Sequence, residues 1–369
     1  MNKANKYRVA VIGRTGKGGY GHSLDTVWLK CDKAEIVAVA DENEAGRAAA
    51  AKRLGAKNAY ADYRAMLKKE KPQIVSVADR WPDCHRDMVV ACAEFGANVF
   101  LEKPAAQTLQ QADEMVAACD AAHVKVAVAH QTRYSPVVKV IKELIAEGKI
   151  GDILELRGHG KEDKRGGGED LMVLGTHTFD LMRHLAGDAK WCSARIQKEG
   201  RKAVAGDVRE VAEQIGPILG DHITASYGFS GLAVGNYFTH IAKAGSGSRY
   251  WLEVRGTKGT IHVGFGILPL AYLCEDAGGM FGKSKALWQE ITSAGVGKPE
   301  TLDAKVLDNG NLLIVNDLIE AIEKDRAPLD SLHDGRAALE MILAVYESHR
   351  LEKVVELPLK NRKHPLAMM

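Results

Sequence analysis

The sequence predicts an α/β protein: an N-terminal doubly wound parallel sheet, followed by an α+β domain built on a mostly antiparallel open sheet. The first 130 residues alternate short β-branched runs with helical stretches. A glycine-rich turn follows the first run, and after residue 150 strand-like runs succeed one another with few helices between them. The 369 residues suffice for two cores, and we predict domains at 1–130 and 131–369.

Five parallel strands are predicted in the first domain. They lie at 7–12, 35–40, 73–78, 98–101 and 125–129, with intervening helices that include 88–95 and 109–122. This alternation implies right-handed crossovers, so the carboxyl ends of the strands share one edge of the sheet. Ligands bind outside that edge. Functional residues are therefore expected directly after each strand.

The glycine-rich turn follows the first strand and leads into a helix predicted over 24–29. Gly13, Gly16 and Gly19 fit the dinucleotide pattern G-x-G-x-x-G with one inserted residue; without it, Thr15 stands at the second glycine position. Glycines, here including Gly18, allow positive φ and let backbone N–H groups approach a pyrophosphate. These five residues are the candidate phosphate site of a Rossmann dinucleotide-binding domain.

Asp41 closes the second strand, near the spacing at which an acidic residue accepts hydrogen bonds from the adenosine ribose. A carboxylate there repels the 2′-phosphate of NADP, so the predicted cofactor is NAD. The alternative is an aspartate that ends a strand as a turn residue. The combination of the glycine turn and Asp41 favours the dinucleotide interpretation.

The strand at 98–101 is followed by Glu102, Lys103 and Pro104. A lysine at the carboxyl end of a parallel strand, in a turn fixed by proline, points at whatever the sheet binds. A surface lysine just past a strand is the competing interpretation. The glycine turn on the same predicted edge favours a catalytic or cofactor-binding role for Lys103, with Glu102 orienting it.

Further motifs occur in order along nearly the whole chain. His22 lies three residues after Gly19, and the other segments are Pro82 with His85, 102–104, 131–136, 175–180, 252–260 and 346–359. Together they resemble the glucose–fructose oxidoreductase/inositol dehydrogenase (Gfo/Idh/MocA) family. The resemblance implies an NAD(P)-dependent oxidoreductase acting on a carbohydrate or polyol. It also implies cofactor contacts by His22, Pro82, His85, Glu102, Lys103 and Gln131.

The catalytic candidates in the second domain lie on a helix predicted over 170–185. Asp170 and His177 are seven residues apart, which places them on one face, and Asp180 follows His177 by three. In the family that this chain resembles, an aspartate stands one turn before the histidine, where this chain has Val173. We predict Asp170, Asp180 or Lys103 as the partner of His177 if it is the acid/base, and the alternative is a reaction that needs no such pair. A further alternative is that His177 is a partly buried core histidine whose hydrogen bonds are made within the protein.

A charged loop at 159–165 precedes that helix, where substrates of the family bind. Lys161, Lys164 and Arg165 are predicted to grip an anionic or hydroxylated substrate, and a solvated loop is the alternative. Arg133 and Trp81 are further substrate candidates, although Trp81 fits better as a cover over the cofactor. No metal is predicted, because no His, Cys and carboxylate cluster has a spacing typical of a metal site, although His177 with Asp180 could form part of one.

The main functional prediction is an NAD-dependent dehydrogenase. A hydride passes from a carbinol carbon to nicotinamide, Lys103 accepts the hydroxyl proton, and His177 relays it or holds a neighbouring hydroxyl. The alternative is an NAD-dependent glycoside hydrolase or lyase that oxidises a sugar transiently and eliminates the aglycone. Val173 and the charged loop favour that alternative. A non-catalytic NAD-binding regulator is the third hypothesis, disfavoured because Lys103 and His177 are present.

The second domain is predicted from strand-like runs at 153–158, 191–197, 222–229, 232–237, 250–255 and 260–263. Helices are predicted at 312–322 and 337–350, and loops at 242–248 and 294–298. Residues 264–302 have little periodicity. By resemblance, the open sheet forms a homodimer or homotetramer, and the helix at 337–350 packs back toward the Rossmann domain.

Composition excludes several classes of partner. Lys and Arg number 50 against 48 Asp and Glu, which disfavours nucleic acid and anionic membranes. No apolar stretch approaches the ~20 residues of a membrane span, and no signal peptide is recognised. Six cysteines without C-x-x-C pairs indicate reduced thiols. A cytoplasmic enzyme with a small-molecule substrate is expected.

Overall fold

The computed structural model describes residues 6–242, 249–277 and 287–369, which form two compact units. The first unit comprises 6–129, 212–215 and 307–336. The second comprises the described parts of 130–211, 216–306 and 337–369. Apart from Ala242, the loop predicted over 242–248 lies outside the described residues.

The strands of the first unit are β1 (Tyr7–Ile12), β2 (Ala34–Ala40), β3 (Asn58–Tyr60), β4 (Ile74–Val77), β5 (Asn98–Leu101) and β6 (Val126–Val128). Over the described residues they form one parallel sheet in the order β3-β2-β1-β4-β5-β6. The order reverses between β1 and β4, which creates the crevice where such sheets bind ligands. The doubly wound prediction is confirmed, and the short edge strand β3 was missed.

The helices are α1 (Glu44–Leu54), α2 (Tyr63–Glu70), α3 (His85–Glu94), α4 (Leu109–Ala122), α5 (Pro136–Ala146), α6 (Gly168–Val173), α7 (Gly175–Ala186), α8 (Asn311–Glu323) and α9 (Leu332–Leu351). Side-chain caps start several of them: Asn43 accepts a hydrogen bond from the Gly46 N–H at α1, and Thr108 accepts one from Gln111 at α4. Most of α9, from Ala337 onward, belongs to the second unit. Its predicted packing on the Rossmann domain remains a prediction.

The α-helix predicted over 24–29 is wrong. His22 and Ser23 adopt positive φ (40° and 66°), and only a 3-10 helix forms, at Val27–Lys30. The left-handed residues redirect the chain before an α-helical turn can begin. The glycine turn is therefore not followed by an α-helix whose N-terminus could face a ligand.

The strands of the second unit are β7 (Ile153–His159), β8 (Trp191–Lys198), β9 (Arg201–Lys202), β10 (His222–Gly228), β11 (Val234–His240), β12 (Trp251–Gly256), β13 (Thr260–Gly264), β14 (Ala271–Cys274), β15 (Gln289–Thr292), β16 (Gly295–Val296) and β17 (Val355–Glu356). Among the described residues they form one sheet in the order β16-β15-β14-β13-β12-β7-β11-β10-β8-β17, with β9 beside β8. Only β7 and β11 pair in parallel there, so the mostly antiparallel prediction is confirmed. Part of the unassigned stretch 264–302 forms β14 to β16.

The helix predicted over 170–185 is broken at Leu174. This residue ends α6 and precedes α7, with φ −107° and ψ −35°. The hydroxyl of Tyr250 donates a hydrogen bond to the Leu174 carbonyl oxygen at 3.1 Å, which supplies a partner to a carbonyl at the break. Asp170 and His177 therefore lie on different helices, and the argument that they share one face does not hold.

Among the described residues, no helix combines the length and the apolar character that crossing a membrane requires.

Candidate cofactor and catalytic site

The glycine turn is braced by Asp41, which directly follows β2. The Asp41 carboxylate accepts hydrogen bonds from the Thr15 N–H (3.0 Å), the Thr15 hydroxyl (2.7 Å) and the Tyr20 hydroxyl (3.0 Å). It also accepts one from the Asn43 N–H at 2.9 Å. Because these donors occupy the lone pairs of the carboxylate, a ribose hydroxyl must exchange with one of them to reach Asp41.

Asp79, shortly after β4, braces the other side of the same turn. Its carboxylate accepts hydrogen bonds from the Arg14 guanidinium and from the Trp81 N–H (2.8 Å). Burial raises the pKa of Asp79. Gly18 lies against this carboxylate with φ 92°, and a Cβ there would stand 2.1 Å from Asp79 Oδ1. Glycine is therefore required at this point of the turn.

Within the turn, Thr15, Gly16 and Lys17 are exposed. Gly16 and Gly19 adopt positive φ (85° and 71°), and a Cβ built on either meets no atom within 4 Å. The space beside both α-carbons is therefore open, but the Gly19 N–H donates to the Arg14 carbonyl oxygen at 2.9 Å and the Thr15 N–H donates to Asp41. The pyrophosphate site predicted for Gly13, Thr15, Gly16, Gly18 and Gly19 stays a prediction, because Gly13 is buried against the Tyr20 ring and Gly16 is the exposed glycine of the set.

Glu102 follows β5, and its carboxylate contacts two other groups, the His22 ring and the Lys103 backbone. One carboxylate oxygen contacts the His22 ring at Nδ1, and the other accepts a hydrogen bond from the Lys103 N–H at 2.6 Å. Burial acts to raise the pKa of Glu102, but the hydrogen bond and charge of His22 and the charge of Lys103 outweigh it and lower that pKa. An ionised Glu102 thus fixes the backbone that carries Lys103, which is 6% exposed.

Two of the residues predicted to contact the cofactor, His85 and Pro82, are buried. His85 is 0% exposed and its ring nitrogens contact carbonyl oxygens, so the predicted direct cofactor contact of His85 is wrong. The Trp81 ring lies beside the glycine turn, where a Cβ on Gly18 would be 3.0 Å from Trp81 Cγ. Trp81 therefore suits a role at the turn better than a role in holding substrate.

In the second unit, Arg133 and Asp180 form a buried ion pair. The guanidinium donates to the Asp180 carboxylate through Nε (3.0 Å) and Nη2 (2.5 Å), and the side chains are 5% and 1% exposed. The guanidinium faces a buried carboxylate, which gives Arg133 a structural role, and its predicted contact with substrate stays a prediction. The same bidentate pair gives Asp180 a structural partner other than His177.

Asp170 organises the loop that precedes it. Its carboxylate accepts hydrogen bonds from the backbone N–H groups of Lys161 and Glu162, both at 3.1 Å, and from the Thr239 hydroxyl at 2.5 Å. Burial raises the pKa of Asp170. With both oxygens occupied, Asp170 shapes the loop, and its predicted pairing with His177 is wrong.

Most charged side chains of the loop at 159–165 pair with one another. Asp163 accepts two hydrogen bonds from the Arg165 guanidinium and lies 3.9 Å from Lys161 Nζ. The hydrogen bonds of Arg165 lower the pKa of Asp163. Lys164 is exposed and forms no ion pair with another described residue. Of the three basic residues, Lys164 is thus the most available to an anionic ligand.

His177 lies on α7 with intermediate exposure. Its ring meets the His130 ring edge-on at 5.4 Å, and His130 Nε2 lies 2.8 Å from the Thr176 hydroxyl. Gln131, with intermediate exposure, opens the 3-10 helix Gln131–Tyr134. The catalytic role of His177 and the cofactor contact of Gln131 remain predictions.

The sequence interpretation missed Arg14, Tyr20 and Asp79. Asp79 comes two residues after β4, so the reasoning that selected Asp41 after β2 could have found it. Arg14 and Tyr20 gave no such signal, because their partners are 65 and 21 residues away along the chain.

Comparison with known families identifies both parts of the chain. Residues 7–130 match a family described as an oxidoreductase family with an NAD-binding Rossmann fold. Residues 142–357 match the C-terminal alpha/beta domain of the same oxidoreductase family.

Among curated proteins, the chain is 26% identical over 358 residues to levoglucosan dehydrogenase of Pseudarthrobacter phenanthrenivorans, covering 87% of this chain and 89% of that protein. It is 27% identical over 188 residues to myo-inositol 2-dehydrogenase of Thermotoga maritima, covering 49% and 55%. The solved structure of levoglucosan dehydrogenase with NADH and levoglucosan shares the fold, with TM-score 0.77 and 22% identity over 96% of this chain and 100% of that one. Since the two family matches together span most of the sequence, the chain belongs to the Gfo/Idh/MocA family of NAD-binding oxidoreductases.

Proposed function

We propose that this protein is an NAD-dependent dehydrogenase that oxidises a secondary hydroxyl of a carbohydrate, polyol or sugar acid. The observation that carries the proposal is Lys103 at the carboxyl end of β5, with its backbone N–H bound to buried Glu102. The braced glycine turn follows β1 at the same edge of the same sheet. The levoglucosan and inositol dehydrogenases among its relatives support a carbohydrate-like substrate.

The chemistry requires a base for the hydroxyl proton. NAD, when bound, supplies the hydride acceptor at nicotinamide C4. The neutral amine of Lys103 takes the proton as the carbinol carbon becomes a carbonyl carbon, so an ammonium group remains on the enzyme. His177 binds a substrate hydroxyl, and Lys164 is the basic residue available for an anionic substituent. Glu102 acts through Lys103 by holding its backbone.

An assay separates this proposal from the redox-assisted glycosidase. The protein is mixed with NAD and a panel of polyols, free sugars, uronic acids and aryl glycosides, while absorbance at 340 nm and aglycone release are followed together. The dehydrogenase produces one NADH per substrate oxidised. Release of aglycone at an NAD concentration far below that of substrate, without net formation of NADH, would instead establish the glycosidase. Binding of NAD without either reaction would indicate a non-catalytic regulator.

Cofactor choice tests the role of Asp41. Asp41→Ser removes the charge that repels a 2′-phosphate, so the ratio of kcat/KM for NAD over NADP should fall at least about tenfold. Glu42→Ser is the matched control, because Glu42 is the next residue but is exposed and paired with Lys17. An unchanged ratio in Asp41→Ser would contradict the assignment, whatever the loss in absolute activity from the loosened turn.

The open face of the second sheet is proposed to join two copies of the chain. Aromatic rings line it: Trp251 stacks on His262 at 5.0 Å, and His262 meets Trp288 at 4.8 Å. Trp288 is 38% exposed, and burying such rings is favourable. Sedimentation velocity should show an oligomer that Trp288→Glu weakens. A monomeric parent protein would reject the assembly.

A further inference from the structure

His85 is surrounded by hydrogen-bond acceptors. Its side chain is 0% exposed, at the start of α3. Nε2 lies 2.8 Å from the carbonyl oxygen of Asp79. Nδ1 lies 3.1 Å from the carbonyl oxygen of Pro104 and 3.2 Å from that of Ala105. The ring thus bridges the end of β4 and the segment directly after Lys103.

A neutral imidazole cannot satisfy this arrangement. A carbonyl oxygen only accepts hydrogen bonds, whereas a neutral ring has one N–H and one lone pair. One ring nitrogen would then place its lone pair against a carbonyl oxygen in a buried site, where an unsatisfied polar contact is costly. A doubly protonated ring donates from both nitrogens and satisfies both sides.

Two other buried histidines show the contrasting pattern. His349 accepts a hydrogen bond at Nδ1 from the Ile196 N–H (3.2 Å) and donates from Nε2 to the Ala203 carbonyl (2.9 Å). His364 accepts one at Nδ1 from the Leu366 N–H (3.3 Å). A backbone donor faces each of these rings, so the neutral form suits them. Of these three histidines, only His85 has acceptors facing both nitrogens.

We propose that His85 is held as an imidazolium and that it positions Lys103 by clamping the Pro104 and Ala105 carbonyls to the end of β4. The charge on His85 is a property of this chain's fold. Its consequence for turnover rests on the proposed function, in which Lys103 is the base. His85 is a positioning residue, since it is buried and acts through the turn.

The hydrogen bonds of the ring and the nearby Asp79 carboxylate favour a buried imidazolium. Asp79, whose carbonyl binds the ring, also carries a buried carboxylate, and Glu102 is a second buried acid at the end of β5. Arg14 is paired with the Asp79 carboxylate, and His22 contacts the Glu102 carboxylate. Buried charges persist when they are hydrogen-bonded, and three carbonyl oxygens lie within hydrogen-bond distance of this ring. The positive ring also favours the neutral amine of Lys103 by like-charge repulsion.

The protonation state is measured directly by NMR on the intact protein with 15N-labelled histidine. The His85 signals are assigned by their loss in His85→Gln. Near neutral pH, we expect one-bond N–H couplings at both ring nitrogens of His85, whereas His349 should show a proton at Nε2 only. A neutral His85 in either tautomer would overturn the proposal. Because this spectrum requires no substrate, it stands apart from the dehydrogenase assignment.

Kinetics then test the positioning role. In His85→Gln and His85→Phe, kcat should fall at least about tenfold, with the Kd of NAD changed less than about threefold. The rise of kcat/KM with pH should move upward by about half a unit, because the positive neighbour of Lys103 is gone. Parental kcat and pH profile in a folded variant would reject the clamp. If the parent protein shows no NAD-dependent chemistry, the proposed function is rejected, and the NMR result on His85 still stands.

Discussion

Lys103→Met should lower kcat for NAD-dependent oxidation by about 10²–10⁴-fold, because it removes the group that accepts the hydroxyl proton. Methionine keeps the length and apolar stem of the side chain, so the turn held by Glu102 should persist. Binding of NAD, followed by titration calorimetry, should change much less than turnover. Stopped-flow hydride transfer at saturating NAD is the most direct measurement.

Two further variants separate the proton acceptor from a simple positive charge. Lys103→Arg retains the charge but cannot release its proton near neutral pH, so it should be nearly as inactive as Lys103→Met. Lys57→Met is the control. It removes an exposed lysine just before the outer strand β3, on the other side of β1 from β5, and should leave turnover unchanged. Turnover close to the parental rate in Lys103→Arg would assign Lys103 an electrostatic role only.

Arg133→Leu should destabilise the second unit by about 3–5 kcal/mol, because it leaves the Asp180 carboxylate buried without its bidentate partner. The effect should appear as a lower urea midpoint in the unfolding transition of that unit. The double variant Arg133→Leu/Asp180→Leu should recover much of the loss, since an apolar pair needs no compensating charge.

An exposed ion pair provides the control. Arg201 and Asp207 form a bidentate contact, with the arginine side chain 56% exposed, so Arg201→Leu should lower the urea midpoint much less than Arg133→Leu does. A loss of that small size in Arg133→Leu would mean that the Arg133–Asp180 pair contributes little. The Arg133 side chain would then be open to reconsideration as a substrate ligand.

The sequence predicted the strands of the first unit well because their signals are local. The runs at 7–12 and 98–101 coincide with β1 and β5, and α4 has the predicted bounds 109–122. Short edge strands carry too few residues for such a pattern, so β3 was missed. The helix expected over 24–29 failed because positive φ at His22 and Ser23, which composition does not reveal, bends the chain there.

The same contrast between local and long-range signals applies to the residues of the candidate site. Glu102 and Lys103 are adjacent in the chain, and their position after a buried strand indicated their importance directly. The role of Asp170 depended on helix periodicity, which the break at Leu174 interrupts. Arg133 and Asp180 are 47 residues apart, and no local pattern links a basic residue to the acid that will neutralise it.

The sequence by itself determined the parallel sheet, the antiparallel sheet, the glycine turn and the place of Lys103, since each depends on periodicity or on residues adjacent in the chain. Only the tertiary structure decided which polar groups meet in the interior. It assigned Asp41 and Asp79 to the glycine turn, Asp180 to Arg133, and carbonyl oxygens to both sides of His85. Those assignments come from the requirement that buried polar groups be paired, which the chain meets with residues distant in sequence.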